Sequence, residues 1–237
     1  MEFGLGFASN SSPVFGVGYR VNEAIVVNEG QQPYPNFVDH LVDQGLVESQ
    51  TYSLYLNDID ASTGTILFGG VDLDKFSGTL STFPINPLYD GNYWGFYITL
   101  TGMSLTTPGR ISSTPISGFS FPLSVVLDSG STLMSLPTAI VQQIANIMGA
   151  EYSEETQFYI LPNCNDLSAD GSLDFIFSGV QFSVPYSEFV TTTNVVSDSG
   201  VLICTLGIMA LDTIPFGILG DTFLRSMYVV YDLVISS

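Results

Sequence analysis

Apolar and polar positions alternate from Tyr52 to Leu56, Asp60-Ala61-Ser62-Thr63-Gly64 supplies a turn, and Thr65-Ile66-Leu67-Phe68-Gly69-Gly70 runs back. That pattern predicts a β-hairpin. Short runs rich in Val, Ile, Phe, Tyr and Thr predict further strands over residues 3–7, 13–19 and 93–100 and at Ser124-Val125-Val126-Leu127. The first two are separated by the polar turn Asn10-Ser11-Ser12, and the last two by a polar, Ser/Thr-rich stretch. The period changes in two places. Phe37, Val38, Leu41 and Val42 share one side of a predicted helix over residues 36–44, closed by Gly45. Pro137 opens a second helix, on which Ile140, Val141, Ile144, Ala145, Ile147 and Met148 recur at helical spacing before Gly149. No short tandem repeat is present, although Phe15-Gly16-Val17-Gly18 and Ile218-Leu219-Gly220-Asp221 look like echoes of one element.

Many short strands joined by tight turns make an all-β protein the expected class, and the 23 glycines and 12 prolines fit it. With 237 residues, 46% of them hydrophobic, the chain can bury a substantial core as one large domain or two lobes. Charge narrows the function. Against 23 acidic side chains stand four basic ones, a formal net charge of -19, so the clustered cations that nucleic-acid phosphates require are missing. This surplus serves solubility, or it suits acidic surroundings or basic substrates. The sole histidine, His40, lies on the first predicted helix, where a solvated side chain is the ordinary reading. Without a second histidine or a C-x-x-C pair, a structural zinc is excluded. Cys164 and Cys204 are then either two buried thiols or a disulfide closing a loop of about 41 residues, worth roughly 4 kcal/mol in an oxidising compartment. Asn10-Ser11-Ser12 is a glycosylation sequon. The start of the chain lacks the basic and apolar segments of a secretory signal. The most apolar stretch, residues 201–211, is about half of what a bilayer crossing requires.

The residues that carry chemistry follow the apolar run Val125-Val126-Leu127. Asp128 is placed at a strand end, and Ser129-Gly130-Ser131-Thr132 makes a tight turn whose amides and hydroxyls can point back at its carboxylate. Alone, Asp-Ser-Gly is an ordinary β-turn. With a helix after it, and with Ile218-Leu219-Gly220-Asp221-Thr222-Phe223-Leu224-Arg225 followed by Tyr228-Val229-Val230-Tyr231-Asp232 further on, the pattern resembles the pepsin-like aspartic proteases over essentially the whole chain. Residues 34–47 and 52–56 look most similar to fungal, yapsin-like members.

The resemblance implies a pepsin-like acid protease fold: a complete or nearly complete C-terminal lobe plus the later strands of the N-terminal lobe. It assigns residues 1–70 to a remnant of the N-terminal lobe with the inter-lobe strand, and residues 71–237 to the C-terminal catalytic lobe. It implies an endopeptidase acting on polypeptides without cofactor or metal, placed outside the cell or at its surface, with Cys164 and Cys204 as the C-terminal lobe's disulfide. Asp128 would be the second of two catalytic aspartates, within the loop Asp128-Ser129-Gly130-Ser131. Ser131 would bond its outer oxygen, and Ser129 would brace the opposite loop through its backbone.

The sequence departs from the family's pattern at both ends. No Asp-Thr-Gly or Asp-Ser-Gly followed by Ser or Thr precedes residue 128, and Asp198-Ser199-Gly200-Val201 lacks both that residue and the preceding apolar pair. After Tyr231-Asp232-Leu233 the family's closing strand is replaced by Val234-Ile235-Ser236-Ser237. The expectation is a chain truncated at both ends, inactive alone, whose natural partner is the missing N-terminal lobe. Two rivals stand beside it: a non-catalytic peptide-binding module, and a homodimer pairing two copies of Asp128. A serine triad would have to use His40 and lacks its G-x-S-x-G turn. The Gly4/Gly6 and Gly16/Gly18 pairs lack the third glycine of a dinucleotide site.

Overall fold

In the computed structural model the described residues are 15–88, 91–109, 112–161, 164, 170–196 and 202–234. Their fold is built mostly of β-strands in four sheets with a few helices, in keeping with the all-β pepsin-like fold expected from sequence. The predicted hairpin forms as Thr51–Tyr55 and Thr65–Phe68, with Tyr52 opposite Phe68. On its other edge Thr51–Tyr55 pairs antiparallel with Tyr228–Asp232, near the end of the chain, in the register Tyr52 to Tyr231.

The sheet that matters for the site has five strands, ordered Ile208–Ala210, Met134–Leu136, Gly217–Leu219, Leu123–Leu127 and Tyr97–Leu100. Two of its pairings are parallel, Gly217–Leu219 with Leu123–Leu127 and Ile208–Ala210 with Met134–Leu136. Parallel neighbours need long connections, and the edge strand Ile208–Ala210 packs against the helix in one of them, Thr138–Met148. Its Ile140, Val141, Ile144 and Ala145 are buried, and it ends at Gly149 in the left-handed conformation. Two four-stranded antiparallel sheets complete the arrangement. One orders Val180–Pro185, Ser172–Phe177, Gly102–Thr106 and Thr114–Pro115; the other orders Val190–Val196, Leu202–Leu206, Phe158–Leu161 and Glu151–Ser153.

Buried side chains fall into two clusters. The larger draws its buried members from Ile98 to Leu224, with Phe175, Phe177 and Phe189 among its largest fully enclosed side chains. Burying each such side chain contributes about 1.5–3 kcal/mol. The smaller joins Tyr19, Val38, Tyr52, Phe96 and Tyr231, so residues remote in sequence meet around an aromatic group.

Several elements differ from the sequence reading. The helix over residues 36–44 is observed as Phe37–Asp43, with Asn36 as its N-cap in a reciprocal capping box with Asp39; His40 lies on it, half-buried. Pro137 is the N-cap of its helix rather than the first helical residue. Residues 15–19, predicted as the end of a strand, form none: Phe15 packs edge-on against Phe37, and Gly18's carbonyl accepts from the Asn36 side chain instead of from a strand partner. Residues 3–7 and the Asn10 sequon lie outside the described residues. The strand expected over residues 93–100 is observed only as Tyr97–Leu100, with Tyr97 opposite Val126. The short helix Ala24–Glu29 was not foreseen, nor were the strands Gly102–Thr106 and Thr114–Pro115 inside the Ser/Thr-rich stretch.

Cys164 and Cys204 are joined as a disulfide across a sequence separation of 40. Cys204 sits in the strand Leu202–Leu206, opposite Leu161 of the neighbouring strand. Replacing both cysteines by serine is expected to lower stability by about 4 kcal/mol in urea unfolding, the chain entropy that the cross-link removes from the unfolded state. A loss below about 1 kcal/mol would mean that residual structure in the unfolded chain already keeps this loop closed.

Candidate active site

Asp128 leaves the strand Leu123–Leu127 where that strand runs parallel to Gly217–Leu219, and its N–H donates to the Leu219 carbonyl at 3.1 Å. The chain then turns at once, the Ser131 N–H donating to the Asp128 carbonyl at 3.2 Å. Both carboxylate oxygens are engaged inside this turn. The Gly130 N–H donates to Oδ1 at 2.9 Å, and the Ser131 hydroxyl donates to Oδ2 at 2.7 Å. Hydrogen bonds to a carboxylate are the strong kind, and two arriving on different oxygens fix the plane of the group. A Cβ at position 130 would stand 3.1 Å from Oδ1, so glycine keeps that approach open.

A second stretch of backbone props the turn. The N–H groups of Asp221 and Thr222 donate to the carbonyls of Ser131 and Thr132 at 2.8 and 3.2 Å. The buried Thr222 hydroxyl accepts from the Met134 N–H at 2.9 Å and donates to the Gly207 carbonyl at 3.1 Å. Gly220 lies at the crossing. A Cβ there would fall 2.5 Å from the Leu133 carbonyl oxygen and nearer still to that of Ser131, so no other residue fits without moving the loop.

The surroundings set the electrostatics. Tyr52 and Tyr231 stack with ring centroids 4.7 Å apart, and the hydroxyl of the buried Tyr231 has no hydrogen-bond partner among the described residues. Burial pushes the Tyr231 phenol well above its ordinary range, and Tyr52, Asp128 and Asp221 add to the shift. Burial likewise raises Tyr52, with Tyr19 and Asp128 contributing. Both rings are therefore neutral, proton-bearing groups within electrostatic reach of the aspartate. Burial also raises the half-buried Asp221 carboxyl; the Arg225 guanidinium opposes this and Asp128 reinforces it.

Of the site residues predicted from sequence, the structure brings Asp128, Gly130 and Ser131 together in one hydrogen-bonded turn. Ser129 is exposed at its tip and takes part in none of these bonds. Asp221 and Thr222 were missing from the predicted set, although the stretch from Ile218 to Arg225 that contains them is the element that marked the resemblance. Among the described residues, no group of three or more His, Cys, Asp and Glu side chains is placed to hold a metal ion, and no helix is long and apolar enough to cross a membrane.

The Asp128 carboxylate is thus held on both oxygens at the end of a parallel strand pair, beside the Gly220 crossing. The family description "Eukaryotic aspartyl protease" matches residues 5–236, and the chain belongs to that family. A probable aspartic-type endopeptidase opsB of Aspergillus fumigatus is 38% identical over 239 residues, covering 98% of this chain and 47% of the relative. Aspartic proteinase 3 of Saccharomyces cerevisiae is 39% identical over 206 residues, covering 84% of this chain and 34% of that protein. A candidapepsin of Candida tropicalis is 36% identical over 220 residues, covering 93% of this chain and 48% of its own length. The chain thus spans about half the length or less of these curated fungal relatives.

The raised Asp221 yields a pH prediction. A carboxyl whose folded-state pKa lies above its unfolded value contributes stability that is fully present below the unfolded pKa and lost as pH rises through the folded one. Asp221→Asn removes that dependence, so the loss of stability between about pH 3 and pH 7 is expected to be smaller in the variant. Urea midpoints across this range test it; identical pH profiles would contradict the assignment.

Proposed function

We propose that the protein is an aspartic-type endopeptidase, hydrolysing peptide bonds with a water held between two carboxylates, of which Asp128 supplies one. The observation that carries this reading is the two-sided grip on Asp128 by the Gly130 N–H and the Ser131 hydroxyl. In such a pair, like charges cannot both ionise, so the two carboxyls share one proton. One carboxylate takes a proton from the water as its oxygen attacks the scissile carbonyl carbon; the other carboxyl gives its proton to the carbonyl oxygen. The tetrahedral species then collapses, breaking the C–N bond as the departing nitrogen is protonated.

The requirement for two carboxyls in complementary protonation states gives the finer reading. Asp128 alone cannot both accept and donate, and no second Asp-Thr-Gly or Asp-Ser-Gly followed by Ser or Thr occurs in the sequence. On this reading, residues 1–237 are inactive alone, and the second aspartate comes from a lobe equivalent to the part of the relatives that this chain does not span. The lobe boundary near residue 70 belongs to the same reading, supported by a large core whose buried members all follow residue 97. The substrates are polypeptides. The net charge of -19 favours basic segments through long-range attraction, and the disulfide suits an extracellular or cell-surface location.

In the longest product that carries this sequence, acid proteolysis of a mixed peptide library is expected to fall by at least about 10³-fold in Asp128→Asn, the loss typical of removing one member of a catalytic unit. Cleavage that survives the substitution would assign the activity to other residues.

A further inference from the structure

The segment that props the Asp128 turn is itself too short to stand alone. The helix Asp221–Leu224 has four residues, and a single turn fixes more backbone freedom than its bonds return. Part of its support is apolar: Phe223 and Leu224 are buried, with the Phe223 ring edge-on to Phe175 at 4.9 Å. The rest is polar and directional. Arg225, at the C-cap, donates from Nε to Glu188 Oε2 and from Nη2 to the Glu188 carbonyl, both at 2.7 Å. The two side chains are only 13% and 10% exposed. The guanidinium therefore grips the side chain and the backbone of Glu188 together.

Glu188 belongs to the helix Tyr186–Phe189, and a second connection returns from the next residue. The Phe189 carbonyl accepts from the Gly207 N–H at 2.5 Å, and the Gly207 carbonyl accepts from the Thr222 hydroxyl at 3.1 Å. Glu188, Arg225, Thr222, Gly207 and Phe189 thus close a ring of contacts that ties the end of one short helix to both ends of the other.

Stability alone is a weak reason for such a pair. A buried ion pair can often be replaced by apolar side chains of similar volume without loss, and this chain has only four basic side chains to place. A forked guanidinium fixes distance and angle, which apolar contact does not. We propose that Glu188 is a positioning residue: by holding Arg225 it fixes the stretch from Gly220 to Leu224 and, through the Asp221 and Thr222 N–H groups, the setting of the Asp128 carboxylate. The proposal rests on the reading of Asp128 as a catalytic carboxylate. The charged and titratable groups around the prop include Glu188, Arg225, Asp221, Asp128 and Tyr231, and Tyr186 on the helix of Glu188.

The test compares residues 1–237 with Glu188→Gln and with the apolar double variant Glu188→Leu/Arg225→Met. The double variant is expected to match the wild-type urea midpoint within error. In both variants, the Asp221 and Thr222 amides should exchange hydrogen about tenfold faster or more, while amides of the strand Ser172–Phe177 keep their rates. In the longest active product, the double variant should lower kcat by about 10- to 100-fold with KM unchanged, as a small misplacement of a reacting group does. Wild-type exchange at Asp221 and Thr222 in the double variant, or equal acceleration in the Ser172–Phe177 strand, would overturn the proposal. Exchange reads the prop whether or not Asp128 catalyses, so failure of the protease reading would register only in the cleavage assay.

Discussion

The carbonyl oxygens of Ser131 and Leu133 come so close to the α-carbon of Gly220 that no side chain fits between them, and the arrangement around Asp128 depends on that approach. Backbone meets backbone at the crossing, which lets the Asp221 and Thr222 N–H groups reach the carbonyls of Ser131 and Thr132. The same crossing puts Gly217–Leu219 in parallel register with Leu123–Leu127, so Asp128 emerges from the end of a sheet already fixed by its neighbours. On the proposed reading, a carboxylate supported in this way is preorganised, the condition under which a fixed polar environment lowers a barrier most effectively.

Around this polar centre the fold is apolar and aromatic. Tyr52 and Tyr231, paired across the sheet that joins the early hairpin to the end of the chain, stack on each other and keep their protons through burial. Arg225 stands behind this region as a cation held in place by Glu188. Another buried acid is handled differently. Asp174 accepts from the hydroxyls of Ser172, Ser183, Thr106 and, at 3.4 Å, Ser104, so it is satisfied by neutral donors alone.

Features encoded locally could be read from the sequence. The hairpin, the Asn36-capped helix, the helix after Pro137 and the Asp128 turn each rest on a period, a cap or a turn residue within a few positions, and each is present. Features that depend on partners far along the chain could not. Gly102–Thr106 reads as a polar connection because Ser104 and Thr106 direct their hydroxyls at Asp174, about seventy residues away, which disguises a buried strand as a loop. Residues 15–19 have strand composition, but their contacts are with Phe37 and Asn36 of a helix, so propensity yields to packing. The Glu188–Arg225 contact spans 37 positions between two single-turn helices, and neither short helix has a periodic signal. At the site itself, the turn around Asp128 was legible from its own residues, whereas the roles of Asp221 and Thr222 become visible only once the two stretches of backbone meet.

On the proposed reading, Asp128 is one half of a two-carboxylate unit. The most direct measurement is cleavage of a mixed peptide library by residues 1–237 alone at about pH 3–6, with the Asp128→Asn variant alongside and the size of the active species determined. No Asp128-dependent cleavage is expected from the isolated chain. Cleavage that disappears with Asp128 and comes from a monomer would contradict the need for a second carboxylate; from a dimer, it would show that two copies of Asp128 supply the pair and that no further lobe is required.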